Sequence, residues 1–166
     1  MKTDLTTAAR PPALSARTDA PHVSVELLSQ PRYLSGARDL VAAVAKRFGF
    51  DDTSCGQIAL AVDEALCNVI RHGYDRRSDG RIWLRLWPED ERGGEPRGIR
   101  IVIEDEAAQV DPEAIKSRDL EDIRPGGLGV YIIRQVMHEV RYEKRAEGGM
   151  RLTLVKHRTP GEKKQG

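Results

Sequence analysis

Between His22 and Leu28 the apolar residues Val23, Val25 and Leu27 fall on every second position, which predicts a strand, and Pro31 stops it. From 32 to 48 the spacing changes. Leu34, Ala37, Leu40, Val41, Val44, Ala45 and Phe48 recur at steps of three and four, so the segment reads as an amphipathic helix that Gly49 ends. Asp51, Asp52, Thr53 and Ser54 then offer N-caps for a second helix over 54–72, the most regular one in the chain. Alternation returns at Ile82, Leu84 and Leu86, and again at Ile99, Ile101 and Ile103, around a charged, glycine-rich hairpin loop from Pro88 to Gly98. Residues 106–126 carry weak periodicity and two prolines, and read as a loop with at most a helical turn. A short helix from Gly127 to Met137 follows, then strands at 140–143 and 150–156 paired around Glu147-Gly148-Gly149. Strands joined mostly by hairpins, with helices able to cover one face, predict an α+β two-layer sandwich.

The polar termini narrow the domain. Residues 1–20 are small and polar with a Pro-Pro pair, and 157–166 are polar as well, so both read as tails around a folded domain at 21–156. The 166 residues suit a single domain. With 27 Lys+Arg against 26 Asp+Glu the formal charge is +1, which argues against a nucleic-acid binder. No apolar run approaches a membrane span and the N-terminus has no signal-like apolar core, so the expected compartment is the cytoplasm. Cys55 and Cys67 would lie twelve residues, or ~18 Å, apart on one helix, beyond disulfide reach; both read as reduced, buried thiols.

The second helix has two faces. Ile58, Ala61, Val62, Ala65, Leu66, Val69 and Ile70 form its apolar stripe, while Glu64, Asn68 and His72 recur at steps of four on another face. A solvated polar face is the commoner outcome of such a pattern. The chemical alternative is a carboxylate for base work beside an amide oxygen that ligates a hard cation shared with substrate phosphates. His72 alone reads as a helix-end residue favoured by the dipole. Arg124-Pro125-Gly126-Gly127-Leu128-Gly129 precedes the apolar helix of Val130, Ile132, Ile133, Val136 and Met137. Its glycines permit close approach of a phosphate to a helix N-terminus, or merely a tight helix entry. The Walker A, dinucleotide and eukaryotic-kinase signatures are absent. Asp105 ends an apolar strand, where it serves as a turn residue or as an acceptor for an exocyclic amine. Trp83 and Trp87 share one side of their strand and read as core or subunit packing.

Taken in order, Glu64-x-x-x-Asn68, Asp105 and Gly127-x-Gly129 resemble the GHKL-type ATPases, the superfamily of gyrase, histidine kinases and MutL. Within it, the run from Val62 to Tyr74 (VDEALCNVIRHGY) looks like the N-box of the anti-sigma-factor serine kinases of RsbW and SpoIIAB type. Ile103-Glu104-Asp105-Glu106 is similar to their first glycine box and Arg124 to Val130 to their second. The resemblance implies the Bergerat fold, a mixed and mostly antiparallel sheet covered on one face by helices, with ATP between the helices and a lid at 109–126. It implies Glu64 as general base and Asn68 as Mg²⁺ ligand. The nucleotide-binding set would be Asn68, Asp105 on the adenine amine, Ala107, Arg124 on a phosphate, Gly126, Gly127, Leu128 and Gly129. It further implies a sigma factor held inactive, a small STAS-domain antagonist phosphorylated on Ser or Thr, and a homodimer. Three positions depart from the family pattern: Ala107 replaces a glycine, Met150 stands where Thr is frequent, and Gln109-Val110 replaces a Pro-Phe or glycine-containing pair. The function expected is thus an anti-sigma factor with ATP-dependent serine/threonine kinase activity. Two alternatives stay open: a partner-switching module that sequesters a regulator without phosphoryl transfer, with or without ATP, and a histidine-kinase catalytic domain acting on another chain.

Overall fold

The computed structural model describes residues 20–89, 95–115 and 128–159. Five strands form one sheet: β1 (Val23–Leu28), β2 (Arg81–Glu89), β3 (Gly98–Asp105), β4 (Glu139–Lys144) and β5 (Met150–His157). Their order across the sheet is β1-β2-β3-β5-β4, and all four pairings are antiparallel. Three helices, α1 (Leu34–Arg47), α2 (Asp52–Asn68) and α3 (Leu128–Val136), pack side by side, with α2 in the middle. The result is the expected α+β two-layer sandwich.

Alternation decides which face the helices cover. Ile82, Leu84 and Leu86 of β2, Ile99, Ile101 and Ile103 of β3, and Leu152 and Leu154 of β5 are buried. They meet Ile58, Ala61, Val62, Ala65 and Leu66 of α2, Val41 and Ala45 of α1, and Ile133 of α3 in one core. Each such aliphatic side chain contributes about 1.5–3 kcal/mol when taken out of water. Central placement of α2 follows from composition: its small alanines let neighbouring helices and the sheet approach closely, while Ile58 and Leu66 fill the gaps. Asp51 caps it, accepting the Ser54 amide at 2.7 Å.

The opposite sheet face carries no helix among the described residues. Trp83 and Trp87 lie here, half-buried, beneath the guanidinium groups of Arg145 and Arg100 at 5.2 Å and 4.7 Å from their ring centroids. They therefore lie outside the core, because they occupy the odd positions of a strand whose even positions face α2. Arg85 and Arg151 pair with Glu104 on this face. That carboxylate is buried under them; burial pushes its pKa up, but the two guanidinium groups outweigh it and hold it below the ordinary value. Cys55 is buried and Cys67 only half-buried, and neither forms a disulfide.

Other boundaries shift by a few residues. The second helix begins at Asp52 and gives way after Asn68 to a π-helical turn, Val69–Gly73. A 3-10 turn at Pro112–Ala114, capped by Asp111, is the helical turn expected after β3. β5 reaches His157, so the second tail assignment meets a strand residue at its start. Residues 1–19, 160–166 and 116–127, which hold most of both expected tails and most of the expected lid, lie outside the described residues.

Candidate functional site

The polar face of α2 is not simply solvated. Glu64 and Asn68 are half-buried, one turn apart, on the flank that α3 covers. Gly129, in the first turn of α3, is buried against both. A Cβ at Gly129 would stand 2.6 Å from Glu64 Oε2 and 3.5 and 3.6 Å from Asn68 Nδ2 and Oδ1. The carboxylate and the carboxamide thus share one small space with bare backbone at a helix N-terminus, where main-chain N–H groups lack intrahelical partners. Leu128 beside it is exposed. Arg124, Gly126 and Gly127 lie outside the described residues.

Asp105 closes the other end of this region. It is 4% exposed at the end of β3, on the strand side facing the helices. Its Oδ1 accepts two main-chain amides, from Ala107 at 2.9 Å and from Met150 at 3.1 Å. No described group bonds Oδ2. Burial pushes the Asp105 pKa above the ordinary carboxylate value, against the pull of those amides and of Arg145. The turn after Asp105 rests on the end of α2: the Ala107 Cβ lies 3.0 Å from where a Cβ of Gly73 would be. One helix therefore carries Glu64 and Asn68 on its flank and meets the Asp105 turn just beyond its C-terminal end.

The three departures from the family pattern acquire physical accounts. A methyl at position 107 fits because position 73 is glycine. Met150 offers no hydroxyl, yet its backbone amide holds Asp105. Gln109 reaches across the gap, its Nε2 donating to Arg145 O at 2.6 Å and Gly149 O at 3.2 Å, and so ties the β4–β5 turn to the segment after Asp105. Gly149, at φ +80°, packs so closely on Asp105 O that a side chain there would overlap it.

Sequence reasoning missed Arg145, Gln109 and Tyr74 as partners of this turn. Arg145 Nη1 donates to Asp105 O while its guanidinium stacks on Trp83 and lies 3.9 Å from Glu104. The signal available was thin, since an arginine at a hairpin end has many ordinary uses. Among the described residues no group of three His, Cys, Asp or Glu side chains could cage a metal ion. A single amide oxygen beside a helix N-terminus suits instead a cation held chiefly by phosphates. The shallow groove on the open sheet face, lined by Arg85, Trp87, Arg100, Glu104 and Arg151, lies on the far side of the sheet from Glu64, and its Glu104 is already paired with Arg85 and Arg151.

Known proteins bear on this geometry. Residues 27–156 match the "Histidine kinase-like ATPase domain" family. The chain is similar to the serine-protein kinase RsbW of Bacillus subtilis, 25% identical over 85% of this chain and 88% of that one. It is 31% identical to serine-protein kinase RsbW of Staphylococcus epidermidis, over 82% and 86% of the two chains. Among solved structures it aligns with the mycobacterial sensor histidine kinase MprB at 18% identity and a TM-score of 0.48, covering 80% of this chain and 96% of that one. No helix among the described residues is long and apolar enough to cross a membrane. With the family match running through every strand and helix that builds the site, and with a 31% identical relative covered over 86% of its length, the chain belongs to the histidine kinase-like ATPases, in their RsbW-type serine-protein kinase family.

Proposed function

We propose that this protein is an anti-sigma factor with ATP- and Mg²⁺-dependent serine/threonine kinase activity. One observation carries the reading: a carboxylate, a carboxamide oxygen and bare helix-end backbone converge at Glu64, Asn68 and Gly129, while Asp105 nearby keeps an oxygen free of described partners. In this reading the Asp105 Oδ2 accepts a hydrogen bond from the adenine amine. The first turn of α3 faces the phosphates, and Gly129 keeps side-chain bulk off the neighbouring Glu64 and Asn68. Asn68 Oδ1 would hold Mg²⁺ without adding negative charge beside the phosphates, and the ion would supply charge neutralisation there. Glu64 accepts the proton of the attacking serine or threonine hydroxyl. Phosphoryl transfer asks mainly for positioning and charge neutralisation, and Glu64, Asn68 and Gly129 are held by packed helices and Asp105 by the end of β3. The family resemblance would give Arg124, Gly126 and Gly127 to the phosphates and residues 109–126 to a lid.

The regulatory logic follows from the family. The folded domain at 21–156 binds a sigma factor and keeps it inactive, and phosphorylates a small STAS-domain antagonist that competes for it. The protein works as a homodimer in the cytoplasm. Incubation with Mg-ATP and the cognate STAS protein should yield phosphoserine or phosphothreonine on that protein. A tight complex without phosphoprotein would instead favour a module that sequesters its partner without transfer, and acid-labile phosphate on the partner would favour histidine-kinase chemistry.

A further inference from the structure

We propose that Tyr74 is the positioning residue that sets nucleotide discrimination, by fixing the Asp105–Ala107 turn relative to α2; the inference rests on the reading of Asp105 as acceptor of the adenine amine. The π-helical turn Val69–Gly73 carries the Tyr74 amide onto Val69 O at 2.9 Å. Adding one residue to the ring rotates position 74 away from the exposed side that Arg71 and His72 occupy. Tyr74 ends 6% exposed, its ring laid over Gly80 so closely that any Cβ there would overlap it. Both capacities of its hydroxyl are used: Oη accepts the Glu106 amide at 2.8 Å and donates to Arg81 O at 2.5 Å. Burial raises the phenol pKa, so the group stays a donor.

The Glu106 amide sits between Asp105 and Ala107, the residue whose own amide orients the Asp105 carboxylate. Tyr74 therefore connects the helix bearing Glu64 and Asn68 to the turn bearing the adenine acceptor, immediately beside the Gly73–Ala107 contact. Arg145 and Gln109 hold the same turn from the β4–β5 side. Removing the phenol oxygen therefore leaves the turn in place but lets its carboxylate drift, so the loss should fall on the amine contact rather than on the whole nucleotide.

The test compares binding of ATP with binding of purine riboside triphosphate, which lacks the exocyclic amine, in the wild-type protein and in Tyr74→Phe. The wild type should prefer ATP by at least about tenfold, the worth of one well-placed hydrogen bond to a charged group. Tyr74→Phe should bind purine riboside triphosphate as the wild type does and lose most of that preference. An equal loss for both nucleotides, or an unchanged preference, overturns the positioning role while leaving Asp105 as acceptor. A wild type without preference overturns the Asp105 reading, and this inference with it. Hydrogen exchange on the nucleotide-free wild type gives a check that needs no variant: the Glu106 amide should be protected, and exchange as fast as at the neighbouring exposed residues refutes the strut.

Discussion

Gly129→Ala is the substitution for which site and fold predict opposite outcomes. Gly129 lies in the first turn of α3 with a φ that any residue can adopt, so alanine there meets no backbone strain and gains up to about 1 kcal/mol of helix propensity. Its methyl, however, would stand 2.6 Å from Glu64 Oε2, where ordinary contact begins near 3.4 Å. The carboxylate oxygen must retreat by about 0.8 Å or turn to another rotamer. A displacement near 1 Å in a positioned catalytic group costs on the order of 10²-fold in rate, equivalent to about 2.7 kcal/mol of transition-state stabilisation. Single-turnover transfer from Mg-ATP to the STAS protein should therefore slow about a hundredfold while the thermal midpoint stays level or rises. A variant that transfers at the wild-type rate would show that the space between Gly129 and Glu64 is not where the chemistry occurs. A variant that loses rate and stability together would place the damage in the α2–α3 packing instead.

Three further outcomes follow from the same geometry. Glu64→Gln keeps shape but cannot take a proton, so transfer should fall by at least ~10²-fold with Mg-nucleotide affinity nearly intact; transfer near the wild-type rate removes Glu64 as the base. Asn68→Ala should weaken Mg-ATP binding roughly tenfold or more, and equal calorimetric affinity would take Asn68 out of the metal site. Glu104→Gln should cost about 1–3 kcal/mol at neutral pH by leaving Arg85 and Arg151 without their carboxylate. Because the folded-state pKa of Glu104 lies below its ordinary 4.5, that contribution is present above this value and is lost as the pH falls through the folded-state one. Wild-type and variant melting curves should therefore converge in acid, and a constant gap at all pH values would contradict the pairing.

The sandwich was legible because two periodicities dominate the chain. Ile82, Leu84 and Leu86 and their counterparts at 99, 101 and 103 can only alternate, and the stripe from Ile58 to Leu66 can only be helical. The π-helical turn was not legible, since Val69 and Ile70 continue the apolar pattern and nothing in composition marks one extra residue per turn. Of the two readings of the tryptophans, core packing fails on register: the same alternation that buries Leu84 puts Trp83 and Trp87 on the open face. At the site, Glu64 and Asn68 announced themselves by spacing, and Gly129 by the glycines around it. Tyr74, Gln109, Arg145 and Met150 did not, because their contribution to Asp105 comes from contacts 30 to 45 residues distant in sequence and, for Met150, from a backbone amide that any residue but proline supplies. The methyl of Ala107 finds its space against Gly73, a contact that no local pattern announces.

The claim on which the rest depends is that Asp105, Asn68 and Gly129 line a single nucleotide site. Calorimetric titration of Mg-ATP into the wild-type protein and into Asp105→Asn tests it most directly. One nucleotide per chain should bind the wild type, and the variant, whose amide presents a donor as readily as an acceptor, should bind at least about tenfold more weakly. Absence of binding to the wild type, or equal affinity in the two proteins, would contradict it.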